Sequence, residues 1–580
     1  MSVFFNGRLW VSPAVMSVVD DSAMYDRNLS IGNVMAIIGR SVGGAPLTAL
    51  RFGSPQEARD VLKSGELLKA ISKAFDPSPE TVAPQTIVAI RVNPATRSTL
   101  TLNDSLAAAA IVLTSTDYGA YTVTNGLKVK VEDGTTKGKK VTTAIGNSYY
   151  AKDNIYRDAL AVQYGGAEAS ATVQITSTQC ILCAPALTPV ATINLSECPT
   201  VQQLADRINV VADFTATVGP GEGPSKADGG LDVMAAAQAC KAAAYTVTGN
   251  VQAVVDWFNG LAEGYVDAER ATPLGSDLAN VGYTNLTGGT DGVVTNTEWQ
   301  SAFDALQAED VQWVVPLSDS AAVHAMADTH VAYMSNVGRM ERRAFVGGAV
   351  GVSDADAKTA AHNLNSDRTA YVHLGYYDYD ENGTLVLYPP YQTAVLVAAG
   401  FAGLNPGSAM TNKALKVRGL ERKLRNPTDT DGLITEGVLC VEDLVRGSAG
   451  YKVVRSVSTW VVNTNYNRVE VSVGAALDFT SRNVRAALER FKGSKGSPQT
   501  ITLAVEIVKS VLTELALPEP MGPAVLVGDE INPAFKNIVG SIVGDVLRIE
   551  FQCSPVIPIN YVPVVIHAVP WSGKVIAPAT

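Results

Sequence analysis

Cys180-Ile181-Leu182-Cys183 has the spacing of a redox pair or of half a zinc site. A redox pair normally sits at a helix N-terminus, where the dipole lowers one thiol pKa. This pair lies in apolar, strand-forming sequence, and no second C-x-x-C follows to complete a metal site, so it reads as structural cysteine. Asp378-Tyr379-Asp380-Glu381-Asn382-Gly383 matches the first half of a calcium loop, but Pro389 stands where the twelfth-position glutamate is required. Asn382-Gly383 more simply predicts a hairpin turn between Tyr376 and Leu385. The five histidines, His324, His330, His362, His373 and His567, form no H-E-x-x-H or comparable ligand pair. His330 falls on an apolar helical stripe with Val323, Met326 and Met334, which predicts a packed core histidine. The segment 286–292, LTGGTDG, is glycine-rich but lacks the lysine of a nucleotide loop and reads as an interdomain turn. Arg482, Arg485 and Lys492, with Lys495 just beyond, form a basic stripe on and after a helix predicted from about Gly474 to Phe491. A solvated face and a contact face for an acidic partner both fit that stripe.

Stepping from these residues to the elements that would carry them, residues 1–30 show only weak alternation, as in Pro13-Ala14-Val15-Met16-Ser17-Val18-Val19. A strand-capable stretch with no local partner must find a sheet edge elsewhere. Asn33 to Gly39 is a buried-strand run, Thr86 to Val92 another. Between them Ser54-Pro55-Gln56-Glu57 starts a helix with an N-cap serine and a proline at the first position, and Gly65 divides it. From 98 to 285 Thr, Val, Gly and Ser dominate, a β-rich composition. One helix stands out there, opened by the capping box Thr200-Val201-Gln202-Gln203. From 293 to 405 helices and strands alternate, which predicts a sheet with helices on its faces. Beyond it, Val453–Val462 and Arg468–Val473 read as strands or extended chain, followed by two amphipathic helices and the alternating strand Val546–Phe551. A terminal strand, Tyr561 to Val569, carries Pro558 and Pro563 near its start, which confines it to an edge.

With 580 residues the chain exceeds one hydrophobic core, so three or four domains are expected. Nearly half the residues (47%) are apolar and 17% charged, greasy enough to leave apolar surface for contacts between subunits. The net charge is −11 with acids and bases interspersed, which argues against nucleic-acid binding as the main task. Met1 to Phe5 offers no signal peptide, and the longest apolar run, Ala394 to Leu404, is too short to span a bilayer. The six scattered cysteines fit synthesis in a reducing cytosol.

The order of these landmarks resembles the contractile tail sheath family of myophages, related to the sheaths of contractile bacteriocins and of type VI secretion. The resemblance runs through the Gly43-Gly44 loop, Phe52-Gly53-Ser54 leading to Ser64-Gly65-Glu66-Leu67-Leu68, and Thr200 to Val218. It continues through LTGGTDG at 286–292 ahead of Val311–Leu317, Pro389-Pro390-Tyr391 opening an alanine-rich helix, and the C-terminal helices and strands. Pro13-Ala14-Val15-Met16 departs from the family's Pro-Gly-Val-Tyr.

That resemblance implies an α+β multidomain protein: an α/β core built from N- and C-terminal portions, inserted β-rich and α/β outer domains, and extended terminal arms. The corresponding segments are an N-terminal linking arm (1–30), the N-terminal part of the core (31–97), a β-rich outer insert (98–285) and an α/β sheath domain (293–405). A C-terminal inner domain facing the tube (406–555) and a C-terminal linking arm (556–580) complete the chain. It further implies a structural subunit without cofactors, stacked as hexameric rings around a tail tube protein, with baseplate and tail terminator proteins as neighbours. The subunit would be made in the host cytoplasm and reside in the virion. Pro13, Val15, Val18 and Val19, and Val562, Val564 and Ile566, are the expected linking-strand residues, and Arg482, Arg485, Lys492 and Lys495 the expected tube contact. Two rivals remain open. One is an enzyme with its site at 293–405, for which His324, Asp328 and His373 are the candidate groups; the other is a self-assembling surface-layer protein, which would be expected to carry an export signal.

Overall fold

The computed structural model describes the backbone of residues 3–5 and 8–10, and residues 33–571 and 573 apart from 262–263, 273–275, 381 and 445–449. Its centre is a seven-stranded sheet of β1 (Val34–Gly39), β2 (Ala49–Phe52), β3 (Thr86–Arg91), β4 (Trp313–Pro316), β5 (Arg343–Gly347), β6 (Thr369–Val372) and β7 (Val438–Leu439). The order is β7-β6-β5-β4-β1-β3-β2, parallel throughout except for the antiparallel edge strand β2. Its strands are near-continuous apolar runs because both faces are covered. In β1, Met35 and Ile37 enter one core while Ala36 and Ile38 enter the other, and all four are fully buried.

The first face carries the helices α1 (Pro55–Leu62) and α2 (Glu66–Ala74), and the second α3 (Asn296–Leu306), α4 (Ala321–Asn336) and α5 (Asp354–Leu364). A further helix, α6 (Pro390–Ala402), lies on the first face and is buried almost all round. Local signals placed several of these elements. The Ser54 hydroxyl accepts from the Glu57 amide at 3.3 Å, and Pro55 opens α1. Lys63 caps the first helix and Gly65 begins the second at φ +114°, where a Cβ would stand 2.9 Å from the Ser41 Cα.

The sheet changes one expectation. Because β1 pairs directly with β4 on one side and with β3 on the other, segments 31–97 and 293–405 share one sheet and two common cores, so they are one unit and not a core with a separate α/β outer domain. Strand-like runs announce that they will be buried, but not which neighbour they will have.

Between Thr96 and Thr290, whose backbones hydrogen-bond at 2.9 Å, the chain makes a β-rich excursion with two small cores. The Thr200–Gln203 capping box is present there, and the 179–183 strand carries both cysteines of the C-x-x-C. After the central sheet come α7 (Val471–Leu488), α8 (Pro498–Leu515) and the hairpin β8 (Phe535–Val543) and β9 (Val546–Cys553). Arg468–Val473, read as extended, is mostly helical: Tyr466–Val469 forms one turn, and only Glu470 is extended before α7 begins at Val471. Val471 and Val473 are buried at the start of α7, so packing overrides their β-branched preference.

Candidate assembly surfaces

The basic stripe lies on α7, and its two arginines turn toward the chain itself. Arg482 donates to Asp310 Oδ1 at 2.7 Å and to the Glu341 carbonyl at 2.6 Å. Arg485 donates to the Arg339 carbonyl at 2.6 Å and pairs with the buried Glu341 carboxylate, whose hydrogen bond holds the guanidinium pKa above its ordinary value. One turn earlier on α7, Asp478 accepts from Arg343 Nε at 3.0 Å and from both terminal nitrogens of Arg368. Gly474 makes room for that joint, since a Cβ there would lie 2.1 Å from Arg343 Nη2. Burial lowers the pKa of Arg343, and Asp478 opposes the shift. The stripe is therefore largely a bolt between α7 and the N-terminal ends of β5 and β6. Arg482 and Arg485 are not a free contact face as expected, whereas Lys492, paired with Glu489, and Lys495 stay exposed. Helical spacing identified the face without identifying what packs on it.

The hairpin is the second surface. Its inner face meets Val508, Leu512 and Leu515 of α8 through Ile538, Ile549 and Phe551, while Val539, Val543 and Val546 point outward. No third strand joins it among the described residues, so both outer backbone edges are unpaired. Along β9 runs a groove of about 520 Å³, floored by Leu477, Val484 and Leu488 of α7 with Phe551 and Cys553, and rimmed by Arg339, Arg485 and Lys492. It continues past Leu488 toward Phe491, Leu547 and Ile549.

The C-terminal arm leaves from the same hairpin. It is held at Val556, whose amide donates to the Val525 carbonyl at 2.9 Å, and at Asn560, which donates to the buried Glu470 at 2.8 Å. Beyond Asn560 none of the described residues covers it: Val562 is 76% exposed, Val564 75%, Ile566 84% and Trp571 89%. The strand expected over Tyr561–Val569 is not formed within one chain: Pro563 interrupts its donors, and among the described residues no strand lies beside it. Pro13, Val15, Val18 and Val19 lie outside the described residues.

The residues first considered for chemistry are dispersed. Cys180 is fully buried, which pushes its thiol up to about 12, and among the described residues no three His, Cys, Asp or Glu side chains converge as a metal site. His330 packs on the Phe303 ring at 5.4 Å and faces Arg342 at 3.1 Å, as a core histidine. His324 bonds the Ser318 carbonyl, Asp328 accepts from Thr369, and His373 pairs with Asp354, so the three do not form one constellation. In an open parallel sheet the usual ligand crevice lies where strand order reverses, here between β1 and β4. Leu317 fills that position against Gly39, whose added Cβ would lie 2.6 Å from Leu317 Cδ1.

No protein-family model matches the chain. The tail sheath protein of Bacillus phage SP01 is 28% identical over 592 residues, covering 99% of this chain and 98% of the relative. The putative tail sheath protein of Enterococcus phage phiEF24C is also 28% identical, over 86% of this chain and 88% of its own length. In fold, the crystal structure of a sheath tail protein from Desulfitobacterium hafniense superposes with a TM-score of 0.54 at 11% identity, covering 94% of this chain and all of that one. A sheath tail protein from Listeria innocua gives 0.52 at 15% identity, over 88% of both chains. The chain is thus similar nearly end to end in sequence to phage tail sheath proteins and shares the fold of solved sheath tail proteins.

Proposed function

We propose that the protein is the structural subunit of a contractile phage tail sheath, polymerising around a tail tube and driving it through the host envelope by subunit repacking. The observation that carries this reading, beside the end-to-end match to sheath proteins, is the pairing of an incomplete hairpin with an uncovered arm in one chain. An extended apolar segment adds to an open edge by main-chain hydrogen bonds, and alternate side chains fill the adjoining groove. The arm of one subunit, either 1–30 or 561–571, completes the hairpin of a neighbour over Leu488 and Phe551.

In this mechanism the subunits stack as hexameric rings, with 406–555 toward the tube and the 98–285 insert outward. Lys492 and Lys495 are the remaining basic candidates for the tube. Contraction exchanges a kinetically trapped packing for one that buries more surface, while the arms keep neighbours linked. Free energy stored at assembly drives it, so no nucleotide or cofactor takes part. Baseplate and terminator proteins bound the sheath, which is assembled in the host cytoplasm.

Negative-stain microscopy of the purified protein tests the reading. Long hollow tubes are expected, alone or after addition of tube and baseplate proteins. A subunit that stays unassembled with all partners present sinks it. Removal of residues 1–19, or of 561–580, is expected to leave a folded subunit that no longer polymerises; normal tubes from both deletions would refute the arm exchange.

A further inference from the structure

The excursion between Thr96 and Thr290 contains a four-stranded sheet, in the order 148–155, 139–145, 128–133, 281–285. Its inner face is ordinary core: Val129, Val131 and Val141 are buried, and the Tyr150 ring meets Tyr265 at 5.6 Å. The outer face has a different character. Register places Tyr149, Ala144, Lys128 and Asn285 in one cross-strand row, and Ala151, Thr142 and Lys130 in the next. Between these rows' ends the middle strands set the small side chains Ala144 (7% exposed) and Thr142 (6%) beside Lys128 and Lys130. At one edge stands Tyr149, 72% exposed; at the other stands Tyr283, 54% exposed, with the Lys128 and Lys130 ammoniums 5.2 and 5.6 Å from its ring centre. Three strand spacings separate the two aromatic edges, about 14 Å.

Charge is also distributed unusually. The whole chain carries −11, yet residues 126–156 hold six lysines and three acids. Two of those lysines, Lys137 and Lys139, are used in pairs with Asp158 and Asp133, and Lys130 meets Glu132 at 2.6 Å. Lys128 has no carboxylate partner among the described residues and rests only on the Tyr283 ring. Glu132 shares the face opposite Lys140, so the patch is net basic, and a net-basic patch on an acidic chain attracts a ligand of the chain's own sign.

We propose that this outer face binds an acidic polysaccharide. The apolar C–H face of a sugar ring lies on a tyrosine, whose hydroxyl remains free for the sugar's polar edge. The small exposed Ala151 lets a flat chain of rings approach the sheet beside Tyr149, Asn285 offers hydrogen bonds, and Lys128 and Lys140 meet the acid groups, with Lys130 shared with Glu132. A nucleic acid fits less well, because the face has no arginine and the acidic chain repels a continuous phosphate backbone. The activity goes beyond the sheath reading and depends on it only for avidity, since an assembled tube repeats the face many times.

Retention of the full-length protein on polygalacturonate-coupled beads tests this, with dextran beads as the uncharged control and single-stranded oligonucleotide beads as the rival. Retention on polygalacturonate alone is expected, weakened about tenfold by each of Tyr149→Ala and Tyr283→Ala, and abolished by Lys128→Glu combined with Lys130→Glu. All these positions are on the exposed face, so unchanged circular-dichroism melts should accompany each loss. No retention of the parent protein, or equal retention of the variants, overturns the proposal. Stronger retention on the oligonucleotide beads reassigns the face to nucleic acid. Subunits bind these beads whether or not they form tubes, so this result is independent of the assembly test.

Discussion

The central sheet and the C-terminal helix–hairpin unit solve the same problem with opposite results. In the sheet every interior strand finds its neighbours within the chain, and two helical layers close both faces. Among the described residues the hairpin has two strands, one covered face, two unpaired edges and an arm with no partner beyond Asn560. Two-stranded hairpins are marginal without further packing. The sheet is thus stable by itself, and the hairpin is a half-finished element that another chain can complete. Stability and assembly should therefore respond to different residues.

The largest expected effect is in the sheet. Phe345 is fully buried between Trp313 and Phe401, with ring centres at 5.8 and 5.6 Å, and Phe345→Ala should destabilise the unit by about 3–5 kcal/mol in urea unfolding. A loss below about 1 kcal/mol would mean the sheet is not the rigid half of the comparison. Next comes the joint between the two regions. Asp478→Ala leaves Arg343 and Arg368 without their shared carboxylate and should cost about 3 kcal/mol. Because the joint ties α7 to the sheet, proteolysis between 403 and 471 should accelerate. Unchanged cleavage would show that Asp478 does not hold the two regions together.

How much of this was readable depended on whether the signal was local. Ser54-Pro55-Gln56-Glu57, Gly65 and Thr200–Gln203 act within one turn of chain, and each produced the expected helix boundary. His330 on an apolar stripe, and the alternation of Val546–Phe551, were equally local. The pairing of β1 with β4 joins residues nearly three hundred positions apart, and nothing in either run names the other. Arg482 and Arg485 were visible as a stripe, but Glu341 and Asp310 come from elsewhere in the sequence and claim them. The only faint signal was Glu341 itself, an acid in a turn between an apolar helix and a buried strand. The arm was legible as extended chain because that too is a local property, whereas the strand expected over Tyr561–Val569 does not form beside any described strand.

Acidification provides a smaller effect, again confined to the sheet. Burial, reinforced by Arg342, pushes the His330 pKa down to about 3, and burial also lowers His324 and His373. Below about pH 6.5 the unfolded chain binds protons that the folded one refuses, so stability falls as pH drops from there toward 3. The slope is at most about 1.4 kcal/mol per pH unit for each histidine. His330→Gln should flatten that dependence in pH-dependent urea melts. A slope unchanged by the substitution would assign the acid loss to other groups.

The smallest effect on the isolated chain separates the regions most sharply. Val564→Asp with Ile566→Asp places two charges on an arm that water already surrounds, so no buried contact is lost and no charge is desolvated. Thermal stability should change by no more than about 0.5 kcal/mol. If those side chains fill a neighbour's groove, two carboxylates there must be buried beside Leu488 and Phe551, and tube formation should fail. The groove's basic rim, Arg339, Arg485 and Lys492, favours carboxylates at its margin, so a single substitution could be accommodated where the pair is not. Tubes of normal length from the double variant would mean that the C-terminal arm lies outside the groove, leaving 1–30 as the strand that completes the hairpin. Loss of tubes together with a lowered melting temperature would instead mean that the arm belongs to its own subunit's core, and the contrast between a finished sheet and an unfinished hairpin would fail.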